Sequence, residues 1–127
     1  MNEIIEYSNN LDINLRSICE VLYELINRNL LGTTCKLYHG SPVWFLNDNP
    51  IVGYSKKANN ISLLFWSGQS FTEVGLSLVG KYKAAEIIYS NTEEVDKMKL
   101  EKWLMESQKT IWNYKDIRKS NGVLALI

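Results

Sequence analysis

The sequence predicts an α+β fold, a two-layer sandwich in which N- and C-terminal helices cover one face of an antiparallel sheet of four to five strands. Three observations predict it. An amphipathic stretch lies near the start, short β-branched and aromatic runs broken by turn residues fill the middle, and a second amphipathic stretch follows.

From Leu11 to Arg28, the residues Leu11, Leu15, Ile18, Leu22, Leu25 and Ile26 recur at three- and four-residue steps, while Asp12, Arg16, Glu20, Glu24 and Asn27 are polar. That spacing gives a helix one apolar stripe. Gly32 stands just beyond, where a left-handed C-terminal cap is expected. Ser41-Pro42, Asn47-Asp48-Asn49-Pro50 and Lys57-Ala58-Asn59-Asn60 then punctuate a β-rich block. Strands are expected near Cys35–Tyr38, Val43–Leu46, Ile51–Ser55, Ile61–Trp66 and Ala84–Tyr89. Ser67 to Tyr82 carries Gly68, Gly75 and Gly80 with little periodicity and reads as a loop with one helical turn. Those glycines lack the spacing of a phosphate or dinucleotide loop and suit turn geometry.

After Ser90-Asn91-Thr92, the acids Glu93, Glu94 and Asp96 stand where a helix N-terminus favours negative charge. The pattern through Leu100, Leu104, Ser107, Ile111 and Tyr114 makes the second helix, closed by Asn121-Gly122. The tail Val123 to Ile127 is five successive apolar residues. At about 25 cal/mol per Å² of apolar surface, it is expected to be ordered, either on the sheet or between the subunits of a homodimer.

With 127 residues and 46% hydrophobic content, the chain reads as a single domain, 1–127, in which 115–127 is a C-terminal extension. Fourteen basic residues balance fourteen acidic ones, so net charge offers no pull toward nucleic acid or an anionic membrane. Cys19 and Cys35 are too few for a disulfide scaffold and show no zinc-site spacing. Met1 to Tyr7 has no basic stretch leading into an apolar run, and no apolar run approaches the ~20 residues of a membrane span. A cytoplasmic protein with reduced thiols is the expectation.

His39, the single histidine, is the obvious acid/base or metal candidate. On one strand, four residues of rise would separate it from Cys35 by ~13 Å, far beyond nucleophile–base reach, so the two form no local dyad. Cys19, near the helix's apolar stripe, suits a buried thiol. The reading is therefore not a hydrolase or redox enzyme working through Cys35 or His39. Alternation puts Val43, Phe45, Ile61, Leu63 and Phe65 on one side of their strands and Trp44, Leu46, Val52, Tyr54, Leu64 and Trp66 on the other. Trp44, Tyr54 and Trp66 are the candidates for an apolar-ligand or partner site on the sheet face away from the helices. Cover by the loop Ser67–Tyr82 and the tail is the alternative.

Lys36-Leu37-Tyr38-His39-Gly40-Ser41-Pro42-Val43-Trp44 resembles the opening motif of the YdhG-like family. The turn Asn47–Pro50, the strand Ile61–Gly68, the pairs Gly75-Leu76 and Gly80-Lys81, and the acidic entry Glu93-Glu94-Val95-Asp96 resemble its later features in the same order. The resemblance covers roughly Leu11 to Trp112. It implies a frataxin-like fold and, from the iron-chaperone description of some members, weak iron binding by an otherwise non-catalytic protein. The carboxylates for such a site would be Glu20, Glu24, Glu93, Glu94 and Asp96, because iron of this kind takes hard oxygen ligands. Arg16, Arg28, Lys97 and Lys99 interleave with them, so a solvated helix face and a charge match at a helix N-terminus explain the same acids.

Overall fold

The computed structural model describes residues 2–127 and shows three α-helices and six strands among them. The first helix, α1 (Glu3–Asn9), lies in a stretch that the apolar periodicity does not mark. Asn2 caps it by accepting a hydrogen bond from Ile4 N at 2.8 Å, and Glu3 and Glu6 set negative charge at its N-terminal end. Seven residues are too few to hold a helix in water, so tertiary contacts order it. Ile4 and Ser8, one turn apart, are buried. Tyr7 Oη accepts from Lys56 N at 2.9 Å, and the Glu3 carboxylate accepts from Leu37 N at 3.2 Å.

The second helix, α2 (Ile13–Asn29), starts two residues after Leu11 because Asp12 is its N-cap, accepting from Leu15 N at 3.0 Å. Leu15, Ile18, Cys19, Leu22, Leu25 and Ile26 form its buried stripe. Gly32 has φ +73°, but it lies past an extended Leu30 that ends the helix. The glycine turns the chain toward the sheet and does not cap the helix.

The strands β1 (Thr34–Tyr38), β2 (Ser41–Leu46), β3 (Asn49–Lys56), β4 (Ile61–Phe65), β5 (Ser77–Leu78) and β6 (Ala85–Tyr89) form one antiparallel sheet in the order β1-β2-β3-β4-β6-β5. His39-Gly40 and Asn47-Asp48 make the two tight hairpins, with positive φ at all four residues. Such mirror-image turns match the right-handed strand twist. The expected loop Ser67–Tyr82 contains one 3-10 turn, Gly68–Ser70, and also the short edge strand β5, which the sequence reading did not expect. The Glu106 carboxylate clamps this loop, accepting from Thr72 N, Thr72 Oγ1 and Glu73 N at 2.7, 3.0 and 2.9 Å. Partial burial raises the Glu106 pKa, but those hydrogen bonds outweigh it and leave the group below its usual value.

The third helix, α3 (Lys97–Lys109), is capped by Asp96, which accepts from Lys99 N at 3.1 Å. Glu93 and Glu94 precede it in a separate 3-10 turn, Thr92–Glu94. The periodicity running on to Tyr114 overshoots the helix, because the chain turns extended at Thr110 and later forms a 3-10 turn at Tyr114–Asp116. The tail is ordered through its backbone: Asn113 N donates to Ala125 O and Ile127 N to Ile111 O, at 2.9 and 2.8 Å. Its side chains gain little from this, since Val123, Leu126 and Ile127 stay exposed.

The register decides which face meets the helices. Trp44 pairs with Val52, Val52 with Phe65, Tyr54 with Leu63, and Ile61 with Tyr89, so these side chains share one face. Both α2 and α3 bury their stripes against that face in one core containing Trp44, Tyr54, Leu63, Phe65, Leu22 and Trp103. Among the described residues, no helix is long and apolar enough to cross a membrane.

Candidate functional site

A concavity lies where α1 and α2 meet the sheet. Ile4, Ile5 and Ser8 of α1 form one wall; Glu20 and Tyr23 of α2 form the other; Tyr54 of β3 also lines the space. Helical spacing brings each wall together, because Ile4 and Ser8 are four residues apart and Glu20 and Tyr23 three. The pocket encloses about 220 Å³ and is largely apolar. Tyr54 is anchored behind it, with its ring centroid 5.7 Å from Trp44 and 6.4 Å from Tyr7. Tyr23 packs on Trp44 at 6.0 Å. Burial foremost, with the surrounding thiols and phenols adding, pushes the Tyr54 pKa far up, so this hydroxyl stays protonated. Glu20 is solvent-exposed, and no ion pair engages it among the described residues.

The structure separates the three aromatic candidates. Trp44 and Tyr54, 1% and 3% exposed, lie beneath the helices, with Trp44 Nε1 donating to Asn27 Oδ1 at 2.9 Å. Trp66 is half-buried on the opposite face, near Tyr38, at a centroid distance of 6.5 Å. The expectation that all three share the face away from the helices is corrected by the hairpin registers. Tyr54 stands opposite Leu63, and Leu64 opposite Gly53. Alternation within a strand fixes relative sides there, but only the register joins one strand's sides to the next. Trp66, Tyr38, His39 and Leu64 border a smaller, shallow cleft of about 150 Å³.

The five acids do not converge. Glu24 pairs with Arg28, Glu94 accepts from Ser90 N at 2.6 Å, and Asp96 caps α3. Glu20 faces the pocket, and Glu93 is exposed in its 3-10 turn. Among the described residues, no group of three or more His, Cys, Asp or Glu side chains could hold a metal ion. The iron expectation therefore rests on the family resemblance alone.

His39 is a turn residue, at φ 53°, with its ring 4.2 Å from that of Tyr38. Cys35 lies on the helix side of β1, paired with Trp44, so the strand separates it from the Tyr38–His39 pair. Burial, with smaller contributions from Glu20 and Glu3, pushes the Cys19 and Cys35 thiols each up to about 12. A free cysteine titrates near ~8.5. Both thiols are thus expected to resist iodoacetamide at pH 8 in the folded protein and to react fully in denaturant. Labelling of either native thiol at the rate of a free cysteine would contradict this environment.

Ile4, Ile5, Ser8 and Tyr23 were not among the residues the sequence singled out. The available signal was Asn2 followed by Glu3 and Glu6, a cap with acids in the first turn, with Ile4 and Ser8 on one side. Comparison of the chain with protein-family models, with curated proteins and with solved structures gives no match.

Proposed function

We propose that this protein is a non-catalytic binding module that holds a small, largely apolar molecule in the pocket between α1, α2 and β3. The observation that carries this reading is the pocket itself: about 220 Å³, largely apolar, with Tyr54 fixed in the core behind it. Pockets for drug-sized ligands run to roughly 300–1,000 Å³, so the occupant is smaller than those. Ser8 donates to Ile5 O at 3.0 Å, and this internal bond reduces its demand for a ligand partner.

Ile5 supplies the test, because it lines the pocket yet is 41% exposed and can be enlarged without rebuilding the core. A set of small apolar and amphiphilic compounds, screened by saturation-transfer NMR, is expected to yield hits on the native protein that Ile5→Trp loses while keeping its melting temperature. No hit, or hits that Ile5→Trp leaves intact, would overturn the reading.

A further inference from the structure

We infer that the pocket between α1, α2 and β3 selects a small alkylated ammonium, a cation with an apolar body; this rests on the pocket being a binding site. Its lining contains one charged side chain, Glu20, and no basic residue. Two tyrosines, Tyr23 and Tyr54, are among its lining residues. The faces of phenol rings carry negative electrostatic potential, and an ammonium within about 6 Å of a ring centroid is attracted to it. Aromatic rings beside a carboxylate, with apolar side chains completing the enclosure, suit a cation whose charge is wrapped in methyl groups.

The alternatives fit less well. An anion would meet Glu20 with no compensating cation in the lining. A compact, strongly hydrated ammonium would lose water against Ile4 and Ile5, with the Glu20 carboxylate as the one charged acceptor in the lining to offset the loss. An alkylated ammonium has less water to lose, and its methyl groups bury apolar area against both isoleucines. Glu20 is free to serve because no ion pair among the described residues holds it, whereas Glu24, one turn along, is paired with Arg28.

The test compares choline with dimethylbutanol, the neutral alcohol in which carbon replaces the ammonium nitrogen, by isothermal titration of the full chain. Choline is expected to bind at one site at least tenfold more tightly than the alcohol. Glu20→Gln, at an exposed position, is expected to weaken choline about tenfold and leave the alcohol unchanged. Equal affinity for the two compounds, or indifference of choline to Glu20→Gln, would overturn the ammonium inference while the pocket reading stands. Failure of both compounds, together with an empty apolar screen, would remove both.

Discussion

Replacing Trp44 by alanine is expected to lower the stability of the fold by about 3–5 kcal/mol, the range measured for large aromatic side chains deleted from cores. Three of its interactions make the loss large. The ring is 1% exposed, it packs between Tyr23 and Tyr54, and its Nε1 donates to Asn27. The neighbours cannot close the gap easily, because the β2–β3 register fixes Val52 opposite it and α2 lies above. Domains of this size hold about 5–15 kcal/mol in all, so the variant would sit near the threshold of folding. Urea denaturation would show a lower midpoint at an unchanged slope. Trp44→Phe, which keeps the ring packing and loses the hydrogen bond, should fall between the two. A loss below about 1 kcal/mol for the alanine variant would contradict the placement of Trp44 beneath the helices.

Gly53→Ala is expected to cost about 2–3 kcal/mol, despite adding a single methyl group to a strand. A Cβ at this position would lie 2.6 Å from Pro42 O and 2.8 Å from Val43 Cγ2. Alanine in place of glycine recovers about 0.5–1 kcal/mol of chain entropy, but overpacking of this kind typically costs about 1–3 kcal/mol and more where backbone must move. Here one obstructing atom is a backbone carbonyl on the neighbouring central strand. The clash therefore wins. A melting temperature equal to that of the native protein would show that β2 and β3 approach less closely than described.

The parts of this fold that were legible were those in which local chemistry and packing agree. The stripe Leu15 to Ile26 specifies α2 whatever it packs on, though the apolar periodicity begins at Leu11, ahead of the Asp12 cap that sets the helix start, and Asn47-Asp48 suits the tight hairpin it forms. His39-Gly40 makes the same kind of turn, just before the break expected at Ser41-Pro42, which instead begins β2. The helix α1 was not legible because seven residues carry too little periodicity, and its order depends on Lys56 and Leu37, which are remote in sequence. That omission hid half the pocket. The aromatic residues were misplaced for a different reason. Within a strand the alternation was right, yet whether Trp44 and Trp66 share a face depends on registers carried from hairpin to hairpin across β3. A register shift between Trp44 and Phe45 interrupts even that chain of inference, since Trp44 pairs with Val52 and Phe45 with Pro50. Tyr54, one of the aromatic candidates, lines the pocket, whereas Ile4, Ile5, Ser8 and Tyr23 come from elements whose relation to β3 is set by tertiary structure.

On the proposed binding function, ligand enters between α1 and α2, and chemical-shift mapping locates it residue by residue. Isotope-labelled protein would be titrated with choline and, separately, with dimethylbutanol, following backbone amides and the tyrosine rings. The expected result is a saturable set of shifts centred on Ile4, Ile5, Ser8, Glu20, Tyr23 and the Tyr54 ring, with Tyr38, His39 and Trp66 unmoved. Shifts centred instead on Tyr38, His39 and Trp66, or no saturable shifts with either compound or with any member of the apolar screen, would contradict it.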